Sequence, residues 1–316
     1  MASATAPASA PNGNFLLNDI SFAIDFAPNG TLVKLGDTMT RKRYADTLET
    51  IATYGADVFY KGAMANATIQ ALKASNGIMT LEDMANYTIL SRKPSQITYR
   101  GFKITSGSAP SSGEVALAVM KTIEGYKDIG HPDTLNISTH RVDEAMRFAY
   151  GQRANLGDPL YLEGIQQYED QMISAQVATE VRAKITNQAH NVSYYDPAGL
   201  ESLETPGTSQ IVVADASGMA ISLTTTVNLL FGSQLCVPET GVIMNDEMVS
   251  IYIFLPHFPT KLMTLQNDFS VPGISNAFGY APSPANYIRP GKRPLSSIST
   301  TIVEHLANGT LSLIHI

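Results

Sequence analysis

The sequence predicts an α+β fold, because helical patterns fill its first part and a strand pattern follows them. Between residues 138 and 156, apolar residues recur at helical spacing, and Gly157-Asp158-Pro159 ends the pattern. After about Ser193, β-branched and apolar residues form two short runs around a polar turn. Helices that precede strands, rather than alternating with them, favour the α+β class over alternating βα units.

Shorter patterns predict the other elements in chain order. Tyr44, Leu48 and Ile51 share a helical face that Gly55 ends. The run Thr80-Leu81-Glu82-Asp83 has the form of a capping box and predicts the start of a short helix. Further helices are predicted over 63–74, from 112 to about 125 and over 174–185, and strands at 211–214 and 219–227 with a turn at 215–218.

Composition limits the classes of partner. The chain has 316 residues, 44% of them apolar, which suits one large folded domain or two ordinary ones. Its net charge of −7 and isoelectric point of about 5.4 provide no broad basic surface. Its only basic triplet, Arg41-Lys42-Arg43, is too short to form a patch. We therefore expect no nucleic-acid partner.

Cysteine and histidine usage argues against a metal cofactor. Cys236 is the only cysteine, and the six histidines are scattered without a ligand-like spacing. We therefore expect no internal disulfide, no thiolate zinc site and no cofactor, and any metal site would have to come mainly from carboxylates.

Targeting signals are mixed. The first 24 residues predict a poorly ordered segment without the pattern of a signal peptide, and no run is apolar enough to cross a bilayer. Six Asn-x-Ser/Thr acceptors favour a longer parent protein in the secretory pathway, in a vacuole or outside the cell, although such short motifs also arise by coincidence. The acceptors are Asn29, Asn66, Asn86, Asn136, Asn191 and Asn308.

One motif precedes the predicted hairpin directly. The chain has no G-x-S-x-G elbow, P-loop or G-x-G-x-x-G, so a serine-hydrolase triad or a nucleotide site has no local support. Pro206-Gly207-Thr208-Ser209-Gln210 lies immediately before the first strand. Alone, a Gly-Thr at this place is more often a turn than a catalyst.

Five motifs in order change that interpretation. They are Thr208, Thr224-Thr225-Thr226-Val227-Asn228, Phe231-Gly232-Ser233, Asn245-Asp246-Glu247 and the run from Arg289 to Ser297, supported by 140–150 and Leu156-Gly157-Asp158-Pro159. Together they resemble the γ-glutamyltranspeptidase family, from about Asp25 to Glu304. The resemblance implies a partial N-terminal-nucleophile hydrolase fold, an αββα sandwich, in a precursor that cuts itself between Gly207 and Thr208.

The resemblance also implies a role for each matching residue. Thr208 would be the nucleophile, with Thr226 hydrogen-bonding its hydroxyl. Asn228, Glu247 and Asp268 would hold a substrate α-ammonium, and Ser296 and Ser297 its α-carboxylate. An ordinary strand residue at Thr226 and a turn at the serines are the competing interpretations. Gln210 stands where many members carry a histidine.

The implied reaction uses glutathione and other γ-glutamyl compounds as donors, and water, amino acids or dipeptides as acceptors. Cleavage would leave residues 25–207 in a large-subunit region and 208–316 in a small-subunit region, which together form a heterodimer. The family also carries an arginine upstream of Asp25 and a Gly-Gly oxyanion element downstream of Ile316, so an inactive fragment is one alternative. A related self-cleaving amidase acting on another acyl group is a second.

An apolar run interrupts the acidic motif. Joining Met248 directly to Asn267 would restore the sequence motif of the family at this site, so residues 249–266 are predicted to be an 18-residue insertion. The run begins with Val-Ser and ends with Gln. Val-Ser can be encoded by GTAAGT and Gln by CAG, and these are the sequences of a splice donor and a splice acceptor.

We therefore expect residues 249–266 to be a translated, unspliced intron, because an exposed apolar loop of this length would favour aggregation. Sequencing the transcript tests this, and mature messages that retain codons 249 to 266 would contradict it.

Overall fold

The computed structural model describes residues 14–196, 208–247, 268–273 and 281–314. The helices in these ranges are α1 (Phe15–Asn18), α2 (Ile20–Phe26), α3 (Lys42–Tyr54), α4 (Asp57–Tyr60), α5 (Ala63–Ala74), α6 (Leu81–Ala85), α7 (Gly113–Ile123), α8 (Leu135–Arg153), α9 (Ile165–Met172), α10 (Ala175–Lys184) and α11 (Val192–Tyr195). The strands are β1 (Ser95–Tyr99), β2 (Phe102–Ser106), β3 (Ser209–Ala214), β4 (Ala220–Thr225), β5 (Thr301–His305) and β6 (Leu311–Ile314).

Each helix predicted from the pattern is present within a few residues of its expected bounds. The capping box is also present: the Thr80 hydroxyl accepts the Asp83 N–H at 3.2 Å, and the Asp83 carboxylate accepts the Thr80 N–H at 2.8 Å. The predicted hairpin is the ribbon β3–β4. No helix in the described ranges is both long enough and apolar enough to cross a membrane.

The chain forms two compact units. One contains the residues up to Leu90 together with Leu229–Asn245, and the other contains Ser91–Asn228 and the residues from Asp246 onward. Each unit therefore takes residues from both sides of the bond between Gly207 and Thr208. The division into subunit regions at that bond follows the expected cleavage and stays a prediction.

An aromatic cluster orders the start of the first unit. Phe15 and Phe22 meet edge to face at 5.0 Å between ring centroids, and Phe15 meets Phe231 at 5.5 Å. Phe22 is fully buried. The expectation of a poorly ordered segment over 1–24 is therefore wrong for residues 14–24, because burial of these rings stabilises α1 and α2.

Two arginines of the basic triplet are half-buried and pair within the same unit. Arg43 pairs with the buried Asp25 at 3.1 Å and donates to the Pro238 carbonyl at 2.7 Å. Arg41 donates to the Gly241 carbonyl at 2.6 Å. These charges satisfy internal acceptors, so the triplet does not present three free cations to a polyanion.

A four-stranded antiparallel sheet forms the centre of the second unit, in the order β1-β2-β5-β6. Its first turn has Arg100 and Gly101 at φ +48° and +86°, the positive values that a two-residue type I′ hairpin requires. Helix α7 packs on the sheet through the fully buried Leu117, which contacts Ile104 and Val303.

A pair of buried acids lies beneath the loop that joins β2 to α7. Glu114 and Glu169 are essentially inaccessible to solvent and hydrogen-bond each other. The Ser95 hydroxyl donates to Glu114, and the Ala109 N–H donates to Glu169 at 2.6 Å. Burial, reinforced by the Glu169 charge, raises the pKa of Glu114 from about 4.5 to about 8.

The raised pKa predicts a pH dependence of stability. A carboxyl that ionises near pH 4.5 unfolded and near 8 folded stabilises the protein most below pH 4.5, and this contribution falls as pH rises and is lost above about 8. The slope for one such group is at most about 1.4 kcal/mol per pH unit. We expect Glu114→Gln to make the fall in free energy of unfolding between pH 5 and 8 shallower.

Urea unfolding at several pH values measures this slope. The exposed Glu180 of α10 provides the control, since Glu180→Gln should leave the slope unchanged. Equal slopes for wild type and Glu114→Gln would contradict the assignment.

Candidate active site

The expected nucleophile lies at the open end of the ribbon. Thr208 is exposed and precedes β3, and Thr226 follows β4 and is half-buried. The last pair of the ribbon is Ser209 with Thr225, so Thr208 and Thr226 are the residues next to that pair on the two strands. If the antiparallel register continued by one residue, these two threonines would be directly opposed, with Cβ atoms about 4.5–5.5 Å apart. Gly207 lies outside the described residues.

Asn228 follows Thr226 in a strained conformation. Its φ is +74°, and its N–H donates to the Thr226 hydroxyl at 2.8 Å. The residue is buried, and its Nδ2 has no hydrogen-bond partner among the described residues. A buried amide donor without a partner is costly, and strained residues of this kind cluster at functional sites.

A hydrogen bond links this turn to the acidic motif. The Asp246 N–H donates to the Val227 carbonyl at 3.3 Å. Asp246 is buried, and Glu247 next to it is half-buried. The structure therefore brings the Asn228 turn and the start of the acidic motif side by side.

Glu247 and Asp268 meet in space, although 20 residues outside the described ranges separate them. Their side chains hydrogen-bond each other. Burial and the charge of Asp268 raise the pKa of Glu247 from about 4.5 to about 8. Burial also raises the pKa of Asp268. Two such acids share a proton, and a cation that displaces this proton would gain two acceptors.

The serine pair lies beside these acids. The Ser296 hydroxyl hydrogen-bonds Asp268, and its Oγ accepts the Ile298 N–H at 3.3 Å. The second contact is the turn that the competing interpretation predicts. The Ser296 N–H donates to the Pro110 carbonyl at 2.7 Å, which fixes the backbone of the pair against the loop before α7.

Arg153, at the end of α8, was missed by the sequence reasoning. It is buried, and its guanidinium donates to the hydroxyls of Ser112 and Ser297, each at 3.1 Å, and to the Leu295 carbonyl at 3.4 Å. Its charge lowers the pKa of Asp268 against the effect of burial. The signal for it was an arginine that continues the apolar stripe of α8, four positions after Ala149.

Asn286 is a second residue that the sequence reasoning missed. It is buried, its Oδ1 accepts the Leu295 N–H at 3.0 Å, and its amide donates to the Asp268 carbonyl. One side chain thus holds the backbone of Asp268 against the segment that carries the serines. A lone asparagine in a Pro-Ala-Asn turn gave no signal of this role.

Gln210 belongs to the ribbon. Its amide donates to the Ser222 hydroxyl at 2.7 Å, and its carbonyl accepts from Thr224. Both partners lie on β4, so the Gln210 side chain contributes to strand pairing. The run 249–266 lies outside the described residues.

Comparison with known proteins identifies relatives along almost the whole chain. The family model described as Gamma-glutamyltranspeptidase matches residues 1–314. A glutathione hydrolase proenzyme of Arthroderma benhamiae is 55% identical over 296 residues, which are 93% of this chain and 48% of the relative. A glutathione hydrolase of Aspergillus flavus is 45% identical over 303 residues, which are 95% and 48% respectively. The chain thus spans about half the length of these curated relatives.

Solved structures with the same fold include two related enzymes. The cephalosporin acylase of Bacillus halodurans has a TM-score of 0.68 at 26% identity, over 90% of this chain and 46% of its own. The γ-glutamyltranspeptidase of Helicobacter pylori has a TM-score of 0.51 at 30% identity, over 56% of this chain and 51% of its own. These matches confirm the predicted α+β class and the partial N-terminal-nucleophile hydrolase fold. The chain belongs to the γ-glutamyltranspeptidase family.

Proposed function

We propose that this chain is part of a γ-glutamyltransferase and glutathione hydrolase that is activated by cleavage between Gly207 and Thr208. The observation that supports the proposal is the meeting of Glu247, Asp268 and Ser296, since these residues would provide acceptors and a donor for an α-amino-acid group. The names of the glutathione hydrolase relatives support the substrate class.

After cleavage, Thr208 would provide both reacting groups: its side-chain hydroxyl as the nucleophile and its free α-amine as the base. A free α-amine has an ordinary pKa of about 7.7–8.0 and is partly neutral near pH 7. The threonine oxygen attacks the γ-glutamyl carbonyl carbon while its proton passes to this amine. As the carbon–nitrogen bond breaks, the proton moves to the leaving amine. Water or an acceptor amine then attacks the ester, and the threonine oxygen regains a proton.

The acidic pair would recognise the glutamyl α-ammonium. When the donor binds, its cation takes the place of the proton that Glu247 and Asp268 share, and the Asn228 side-chain oxygen provides a further acceptor. Ser296 and Ser297 would donate hydrogen bonds to the α-carboxylate. Because the α-ammonium and the α-carboxylate of the donor are both held, the γ-carbonyl carbon would lie at a fixed distance from the Thr208 oxygen.

Contacts across the cut support a heterodimer. Strand β2, which precedes residue 207, pairs with β5, which follows it, over five residues from each strand. In the other unit, Arg43 and Arg41 donate to carbonyls at 238 and 241. Because these bonds do not depend on the peptide bond at 207, the two pieces should stay together after cleavage.

A second candidate function is amide hydrolysis of a different acyl group. The likeness to a cephalosporin acylase favours it, since the same fold there has a different printed activity. An inactive fragment is the third possibility, given the share of the relatives that the chain spans. The following variants separate the three.

Self-cleavage tests the assignment of Thr208. On a denaturing gel, the wild-type chain should give pieces of 207 and 109 residues, which should elute together under native conditions. We expect Thr208→Ala to stay uncut and to lose turnover of γ-glutamyl-anilide by about 10³-fold or more, because nucleophile and base are removed together.

Thr225→Ala is the matched control, since Thr225 is exposed on β4 and has no assigned role. Cleavage at 207–208 in Thr208→Ala would rule out Thr208 as the nucleophile. An uncut, inactive wild type would support the inactive fragment. A cut wild type that hydrolyses other amides but not γ-glutamyl-anilide would support the amidase.

The acidic pair predicts the pH dependence of KM. Below about pH 8 the empty site keeps the shared proton, so the donor must displace it. We expect KM for the γ-glutamyl donor to fall as pH rises from 6 to 8, by at most about tenfold per unit. Glu247→Gln should raise KM and remove this slope.

The slope is measured from initial rates at each pH, with kcat fitted separately because the Thr208 amine also titrates. Glu304→Gln is the control, since Glu304 pairs with Lys103 on the sheet at 2.8 Å. A slope that persists in Glu247→Gln would show that another group holds the proton.

A further inference from the structure

Arg153 has a place in the site that the mechanism above does not use. We propose that Arg153 is a positioning residue for the serine pair, which holds Ser297 so that its hydroxyl proton is directed to the α-carboxylate of the donor. This inference rests on the proposed function, because it assigns the carboxylate to a γ-glutamyl donor.

The direction of the hydrogen bonds carries the argument. A guanidinium can donate hydrogen bonds but accepts none. Arg153 Nη2 donates to Ser297 Oγ at 3.1 Å, so that hydroxyl acts as an acceptor towards the arginine. Its own proton therefore remains for a different acceptor. A carboxylate oxygen is the acceptor that the proposed substrate offers at this point.

The other branch from the same guanidinium fixes the backbone. Arg153 Nε donates to Ser112 Oγ at 3.1 Å, and the Ser112 hydroxyl donates to the Ser296 carbonyl at 2.7 Å. The planar fork thus holds a side chain of one serine and, through Ser112, the main chain of the other. A lysine has no such rigid fork and cannot hold both with the same geometry.

The surroundings keep Arg153 in place. Its side chain is buried, its Nη2 also reaches the Leu295 carbonyl, and α8 packs against α7 in the core around Ala149 and Leu156. Ser112 is buried immediately before α7. A rigid donor in a low-dielectric setting needs little reorganisation when an anion arrives, which is the basis of electrostatic preorganisation.

The positive charge of Arg153 favours an anionic group at the serine pair, as the hydrogen bonds of its guanidinium also do. It favours the ionised form of Asp268, which shows that its field reaches the position beside Ser296. A substrate carboxylate held by the serines would experience the same field. Arg153 would therefore favour an anionic group at the serines without contacting it.

The experiment compares two donors on the self-cleaved full chain. One is γ-glutamyl-p-nitroanilide, and the other is 4-aminobutanoyl-p-nitroanilide, which lacks only the α-carboxylate. For Arg153→Met we expect KM for the first donor to rise about 10- to 100-fold, as for the loss of hydrogen bonds to a charged group. KM for the second should stay within about twofold of wild type.

Three further variants keep the result interpretable. Arg153→Lys should lie between wild type and Arg153→Met, and adding Ser297→Ala to Arg153→Met should change KM little, because both act through one hydroxyl. Arg147→Met is the control: Arg147 lies on the same helix and pairs with the exposed Asp143 at 2.9 Å, so KM should not change.

The outcomes separate this inference from the proposed function. Equal losses on both donors, or additive effects of Arg153→Met and Ser297→Ala, would mean that Arg153 only stabilises the fold and would overturn the inference. The proposed function stands in either case if the wild type cuts itself and turns over γ-glutamyl-anilide. A wild type that does neither overturns both proposals.

Discussion

The pairing of β2 with β5 is the constraint on which the rest of the site depends. Ser106 lies opposite Thr301, and its hydroxyl donates to the Thr300 carbonyl at 2.7 Å. Because the strands are antiparallel, the chain that leaves β2 and the chain that enters β5 run beside each other. The serine pair on the second segment therefore meets the loop before α7, as the bond from the Ser296 N–H to Pro110 shows.

Buried charge in this unit is arranged around the same two segments. Glu114 and Glu169 support the loop from below through the Ala109 N–H, and Arg153 holds Ser112 and Ser297. Each buried ionisable group costs solvation free energy and is tolerated only because it is hydrogen-bonded. The functional consequence is a row of donors and acceptors whose positions are set before a ligand arrives, at a cost that apolar packing around Leu156 and Leu295 offsets.

Local patterns predicted the helices and the ribbon because their signals are short-range. The capping box at Thr80 and the stripe of α8 need only the residues beside them. Strands β1 and β2 were not predicted because Arg-Gly is an uncommon sequence for a type I′ turn, which usually has Asn, Asp or Gly at its first central position. Arg153 and Asn286 escaped for a different reason: their partners lie 144 and 9 residues further along the chain, and no local pattern specifies such contacts. The order at Phe15 and Phe22 likewise depends on the distant Phe231.

Because Glu247 and Asp268 meet in space, the question is whether their positions depend on the length of the connection between them. Loop-closure entropy grows only as the logarithm of length, so lengthening a connection from two residues to the 20 that separate these acids costs about 2 kcal/mol. The hydrogen bonds of Asn286 to both Asp268 and Leu295 hold the second acid independently of that connection. The geometry of the acidic pair is thus set by its flanks. Removing residues 249–266 would shorten the connection without changing the two residues that it joins, so the proposed binding of one ammonium group by the two carboxyls does not depend on whether the run is translated.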